Sequence, residues 1–208
     1  MKSYPLVRFA GEFLFLSALA LLPVITVHTD LTVLETTTGE KSITEISQAI
    51  FLALTVLIFW RASWHYRNYR GAFVLIAGFF TCAFIRELDA VFDYVWHGFW
   101  IVPAIGTAIA CIAYATATFG WKTIVNALNN LACVRGMDLL LFGLVTLLVF
   151  SRTFGSGSLI WNAIVPEDSA FTLKSALQEG LELYGYIFIL YGSCKLSFHP
   201  PSGEEEIR

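Results

Sequence analysis

Long apolar stretches recur along this sequence and limit the folds that it can adopt. A helix needs roughly 20 apolar residues to cross the hydrocarbon core of a bilayer, whereas a membrane β-strand alternates apolar and polar residues over about ten. The stretches are continuous, so they favour helices. We therefore predict an all-α, polytopic transmembrane helical bundle of about six spanning helices, at residues 9–27, 46–62, 72–92, 99–118, 137–154 and 176–196.

The composition agrees with this class of protein. Hydrophobic residues make up 57% of the chain and charged residues only 14%, whereas a soluble domain carries about 25% charged residues. The net charge is −3 and there is no basic tract, so a nucleic-acid partner is not expected. The lipid bilayer is the expected partner, with a homo-oligomer or a second membrane protein left open. We predict one integral-membrane domain at residues 1–198 and a short cytoplasmic tail at residues 199–208.

The distribution of basic residues predicts the orientation. Cytoplasmic segments of membrane proteins are enriched in Lys and Arg. With the N-terminus inside, only Lys41, Arg86, Arg152 and Lys174 fall on the far side. The cytoplasmic side then collects the remaining nine: Lys2, Arg8, Arg61, Arg67, Arg70, Lys122, Arg135, Lys195 and Arg208. We predict that both termini are cytoplasmic and that the protein is a multi-pass protein of the cell membrane, such as a bacterial inner membrane.

The connection at residues 120–136 predicts a helix of its own. Apolar residues recur there at helical spacing, with asparagines between them: Ile124, Leu128, Leu131 and Val134 alternate with Asn126, Asn129 and Asn130. Such a pattern is typical of an amphipathic helix that lies in the membrane interface.

The third predicted helix carries charged residues at membrane depth. Residues 72–85 are free of charge but reach only about 21 Å at 1.5 Å per residue, less than the ~30 Å of the hydrocarbon core. We therefore predict that this helix continues through the charged residues as far as Asp93. At about 100° per residue, one stripe of the continued helix contains four polar side chains: Arg86, Asp89, Asp93 and His97. Arg86 is the predicted electrostatic partner of the acidic residues.

Two further helices bring polar side chains to the same predicted depth. The second begins with Glu45 and Gln48, and the sixth carries Glu179 and Glu182. Ionisable groups inside a membrane usually face protein or water, because lipid exposure costs at least ~2.5–3.5 kcal/mol each. If the three helices are neighbours, they form an outward-facing polar pocket of Glu45, Gln48, Arg86, Asp89, Asp93, His97, Gln178, Glu179, Glu182 and Tyr186. Ion pairs that merely hold helices together are the alternative.

Three functions are compatible with such a pocket. The preferred one is binding or transport of a cation, a proton or a small polar solute, because clustered carboxylates line such pathways. The second is an intramembrane enzyme acting on a lipid or periplasmic substrate with a divalent metal ion, whose ligands would be Asp89, Asp93, His97, Glu179 and Glu182. The third is a structural or assembly subunit of a membrane complex. The sequence contains no motif for a catalytic nucleophile or a nucleotide, so it assigns no catalytic residue.

Overall fold

The computed structural model describes residues 5–33, 42–156, 161 and 167–198, and every regular element in these ranges is helical. The α-helices are α1 Pro5–Thr32, α2 Ile43–His65, α3 Arg70–Glu87, α4 Asp89–Phe92, α5 Ile101–Phe119, α6 Trp121–Ala132, α7 Arg135–Val145, α8 Ser151–Gly155 and α9 Glu167–Phe198. A 3-10 turn at Arg67–Tyr69 precedes α3, and a π-helical turn at Thr146–Phe150 joins α7 to α8. The predicted all-α class is confirmed for the described residues.

Five helical segments are long and apolar enough to cross a membrane. They are Phe9–Thr32, Ile43–His65, Arg67–Glu87, Ile101–Phe119 and Arg135–Gly155, and they correspond to the first five predicted spans. On α5 the exposed side chains include Ile105, Ile109 and Ile112, an apolar face of the kind that contacts lipid. The sixth predicted span lies within α9, which is not among these five segments.

The third span ends earlier than the sequence predicts. α3 ends at Glu87, and Leu88 leaves the helical conformation with φ −94° and ψ 23°. Because the candidate span begins at Arg67, it has 21 residues, or about 31 Å at 1.5 Å per residue. It reaches the required length without Asp89 and Asp93, so the predicted continuation of one helix to Asp93 is wrong.

The chain divides into two compact units. The first unit combines Met1–Ser47 with Val145–Ile187, and the second combines Gln48–Leu144 with Phe188–Arg208. Both α2 and α9 therefore contribute residues to each unit.

In the second unit, α3 packs closely against α5 and α6. Val74 of α3, Cys111 and Ala115 of α5 and Ile124 of α6 form one buried cluster. A Cβ atom placed on Gly78 would lie 2.7 Å from the Cys111 sulfur, so the absence of a side chain lets α3 and α5 approach.

The helix predicted in the connection is confirmed as α6, whereas its place in the membrane interface stays a prediction. Its apolar face is buried, with Ile124 and Leu131 at 1% and 0% exposure, whereas Asn126, Asn129 and Asn130 are exposed. The spacing in the sequence therefore identified both the helix and the face that it buries.

Two glycines let α7 and the end of α9 meet backbone to backbone in the second unit. A Cβ atom on Gly136 would lie 2.6 Å from the backbone nitrogen of Leu196, and one on Gly192 would lie 2.6 Å from that of Leu140. No side-chain rotation can relieve such contacts, because the opposing atoms belong to the backbone.

Candidate functional site

A buried carboxylate holds the start of α2 in the first unit. Asp30, near the end of α1, is 1% exposed. Its Oδ1 accepts a hydrogen bond from the N–H of Ile43 at 2.8 Å, and its Oδ2 accepts from the N–H and the hydroxyl of Thr44 at 3.0 and 2.6 Å. The Ser42 hydroxyl oxygen accepts from the N–H of Glu45 at 3.1 Å. An anion is stabilised at a helix N-terminus, so α2 compensates the charge of Asp30.

A second carboxylate, Glu182 of α9, has side-chain donors. Its Oε1 accepts hydrogen bonds from the Ser151 hydroxyl at 2.8 Å and the Gln178 amide nitrogen at 3.1 Å. The Arg152 guanidinium lies 3.8 Å from the same oxygen. Because the Arg152 side chain is 54% exposed, water screens much of this ion pair.

The residues that contact Glu182 depend on two local backbone features. Ser151 and Arg152 directly follow the π-helical turn Thr146–Phe150, a rare element that is often found at functional sites. At Gly155, an added Cβ atom would overlap the side-chain amide of Gln178. Gly155 therefore leaves room for Gln178 beside α8.

Glu179 joins these residues into an acidic cluster. Its side chain is partly buried, and the charges of Glu45, Glu182 and Asp30 act on it. All three neighbours are carboxylates, so their effects on Glu179 have the same sign. We call Asp30, Glu45, Glu179 and Glu182 the acidic cluster; all four belong to the first unit.

The remaining predicted pocket residues lie on both units. Gln178 and Tyr186 belong to the first unit, whereas the second contains Gln48, Arg86, Asp89, Asp93 and His97. Gln48 and Tyr186 are buried, whereas Arg86 and Asp89 are exposed. Within the described ranges, no ion pair joins Arg86 to another residue. The predicted pairing of Arg86 with the acidic residues is corrected accordingly, because the helix that would align them ends before Asp89.

Asp93 and His97 form a turn of their own. Asp93 Oδ1 accepts a hydrogen bond from the N–H of Gly98 at 2.8 Å, and its Oδ2 lies 2.8 Å from His97 Nδ1. The Gly98 N–H, followed by the His97 side chain, holds the pKa of Asp93 below its ordinary value. Gly98 has φ +82°, which suits glycine.

The five metal ligands predicted from the sequence do not form a metal-binding group. Among the residues that the structure describes, no three His, Cys, Asp or Glu side chains are arranged to hold a metal ion. Three of the predicted ligands, Asp89, Asp93 and His97, belong to the second unit, whereas Glu179 and Glu182 belong to the first.

Sequence reasoning missed three residues at the acidic cluster: Asp30, Ser151 and Arg152. The sequence signals the start of α2, because Ser42-Ile-Thr-Glu45 fits the capping-box pattern that marks the start of a helix. The first N–H groups of such a helix need acceptors, but the pattern does not identify Asp30 as the acceptor, since Glu35 and Glu40 are nearer in the sequence. For Ser151 and Arg152 there was no comparable signal, since no known pattern predicts the π-helical turn.

Comparisons with protein-family models, with curated proteins and with solved structures found no match. The function must therefore be inferred from the chemistry of the acidic cluster. Carboxylate oxygens bind protons and hard cations, in contrast to thiolate and imidazole sites, which favour softer metals.

Proposed function

We propose that the protein binds a proton or a small cation at the acidic cluster and transports it across the membrane. The observation that carries this proposal is the partly buried position of Glu179 within reach of three other carboxylate charges. Like charges in a medium of low dielectric constant repel strongly, and a bound proton or cation relieves the repulsion.

We further propose six spans in an inner membrane, with both termini cytoplasmic and the acidic cluster near the outer face. α9 has 32 residues, about 48 Å at 1.5 Å per residue, which exceeds the ~30 Å core. Its Leu183, Ile189 and Leu196 are fully buried. A helix that is shielded by protein tolerates acidic residues that lipid would not, so the low hydropathy of α9 is compatible with a sixth span. The nine predicted cytoplasmic basic residues support the orientation.

Thermal unfolding tests the binding site. The protein in a neutral detergent would be melted between about pH 5 and about pH 9, in sodium, potassium or choline chloride, while the fluorescence of its six tryptophans is followed. The folded cluster gains a proton or cation that the unfolded chain does not bind, so the melting temperature should rise as the pH falls or as sodium or potassium replaces choline. Glu179→Gln should flatten this dependence and raise the melting temperature at high pH.

Asp138→Asn is the matched control, because Asp138 is an exposed carboxylate on α7. It should keep the dependence of the wild type. The binding proposal is wrong if Glu179→Gln responds to pH and to cations as the wild type does. Transport is tested by reconstituting the protein in liposomes that contain a pH-sensitive or a sodium-sensitive dye: an imposed proton or sodium gradient should change the internal concentration of that ion with the wild type and not with Glu179→Gln.

A further inference from the structure

A cavity in the second unit lies where the 3-10 turn and the start of α3 meet the end of α5 and the start of α6. Its volume is about 280 Å³, close to the lower end of the ~300–1,000 Å³ usual for ligand pockets. Three of its lining residues are polar, namely Arg67, Asn68 and Thr123, and five are apolar or small, namely Gly71, Ala72, Phe119, Ile124 and Ala127.

The apolar wall of this cavity is closely packed. A Cβ atom on Gly71 would lie 3.0 Å from Ile124 Cγ1 and 3.1 Å from Phe119 Cδ2. Ile124 and Ala127 are 1% and 6% exposed. The cavity therefore lies beside a tight contact of three helices.

The order of the helices places this cavity at a membrane boundary. Arg67–Glu87 and Ile101–Phe119 are consecutive candidate spans, so the chain crosses in opposite directions along them. Arg67 and Phe119 then lie at the same boundary, whichever way the protein is oriented. Trp64 and Trp121 are 72% and 63% exposed nearby in the chain, as is usual for indole rings at the level of the lipid headgroups.

The charge at this boundary is positive. The sequence has no acidic residue between Glu45 and Glu87 and none between Asp93 and Asp138. Over the same stretches it contributes five basic residues at this boundary: Arg61, Arg67, Arg70, Lys122 and Arg135.

Two arginines of this group differ in their surroundings. The Arg70 guanidinium donates hydrogen bonds to the backbone carbonyls of Ser63 and Trp64 at 2.9 and 3.1 Å, which fixes it in place. Arg67 lines the cavity and is exposed. Thr123 lies in the first turn of α6, where the helix dipole favours an anion. The polar side of the cavity thus has two independent sources of positive potential.

We propose that this cavity binds the phosphate and headgroup of an anionic phospholipid. The Arg67 guanidinium would pair with the phosphate, since its planar fork suits phosphate oxygens. Asn68 and Thr123 would hydrogen-bond the hydroxyl groups of the headgroup, and Phe119 would contact the glycerol and the first acyl carbons. Basic residues beside membrane helices are the usual receptors for anionic lipids.

Titration of a short-chain lipid tests this proposal. Dioctanoyl phosphatidylglycerol would be added to the full-length protein in a neutral detergent, and binding measured by native mass spectrometry. Arg67→Gln should weaken binding about tenfold, because it removes a hydrogen bond to a charged group. Ala127→Leu should also weaken binding, because it fills the cavity without changing a charge. Arg61→Gln is the matched control, since Arg61 is exposed at the same boundary but does not line the cavity; it should change binding by about twofold or less.

Three results would overturn the proposal. Equal weakening by Arg61→Gln and Arg67→Gln would show that lipid binding depends only on the overall positive charge of the surface and not on the cavity. Equal binding of dioctanoyl phosphatidylcholine would show that the cavity does not select an anionic headgroup. Binding of glycerol phosphate or inorganic phosphate as tight as that of the lipid would identify a site for free anions. Ala127→Leu keeps the test decisive if Arg67→Gln fails to fold.

Discussion

At the scale of single residues, the carboxylates of the acidic cluster differ in what compensates their charge. Asp30 receives three hydrogen bonds at the start of α2, and Glu182 receives two from side chains, with Arg152 nearby. Glu179 is the member on which the other three charges converge. Glu179 is therefore the position at which we expect the proposed proton or cation to act.

Replacing Asp30 tests its role as the cap of α2. Asp30→Ala leaves the N–H groups of Ile43 and Thr44 without their acceptor, so we expect the free energy of unfolding to fall by at least about 2 kcal/mol. Asp30→Asn keeps one side-chain oxygen and should cost less. Hydrogen exchange measured by mass spectrometry should accelerate at the start of α2 in Asp30→Ala. Asp138→Ala, at an exposed position, serves as control; unchanged exchange at the start of α2 in Asp30→Ala would contradict the capping role.

The sequence pattern could predict part of this site. The spacing of Glu179 and Glu182, and the position of Glu45 at the start of its helix, predict that these residues share one membrane depth, which stays a prediction. The structure places all three in the first unit. The role of Asp30 could not be predicted in the same way, because its hydrogen bonds to α2 join residues 13 and 14 positions apart. They depend on how the connection brings the start of α2 next to the end of α1. Residue spacing describes one helix at a time and does not encode such contacts.

At the scale of helices, sequence reasoning located the apolar segments well and their ends less well. Arg86, Asp89, Asp93 and His97 recur at helical spacing in the sequence, but α3 ends at Glu87 and contains only the first of them. Leu88 follows the end of α3, and the Asp93 carboxylate accepts a hydrogen bond from the backbone N–H of Gly98. The period of a pattern cannot show where the backbone hydrogen bonds of a helix stop.

The backbone contact between α7 and α9 gives a prediction with an internal control. Gly136→Ala and Gly192→Ala place a methyl group against backbone atoms, so the helices must separate. We expect each to lower the free energy of unfolding by about 1–3 kcal/mol. Gly106→Ala, which has no heavy atom within 4 Å of the added Cβ, should be neutral or stabilise α5 by roughly 0.5–1 kcal/mol. Thermal unfolding of the three variants tests this prediction. Equal melting temperatures for all of them would contradict the close backbone contact between α7 and α9.

At the scale of the whole molecule, the number of membrane crossings depends on α9. A hydropathy criterion treats every residue as if it faced lipid, so Glu179 and Glu182 lower the mean hydropathy of α9. Burial offers the opposite indication, since Leu183 and Ile189 have no exposed surface. Five crossings place the two termini on opposite sides of the membrane, whereas six place them on the same side.

Cysteine labelling distinguishes these topologies. In a background in which Ala replaces Cys82, Cys111, Cys133 and Cys194, single cysteines at His97, Asn129 and Ser202 would be treated with an impermeant maleimide on intact cells. We expect His97→Cys to react from outside, because its side chain is 98% exposed and the proposed orientation puts its connection outside. Asn129→Cys and Ser202→Cys should react only after permeabilisation. Labelling of Ser202→Cys from outside, with the other two as expected, would exclude the sixth crossing.

The π-helical turn at Thr146–Phe150 also determines which way the residues after it face. A π-helical turn contains one residue more than the corresponding turn of a regular α-helix. The candidate span Arg135–Gly155 therefore contains one extra residue. One residue corresponds to an angular step of about 100° around a helix. Without the insertion, the helix would be continuous but Ser151 would be rotated away from Glu182. This segment therefore cannot both form a regular α-helix and keep Ser151 beside Glu182.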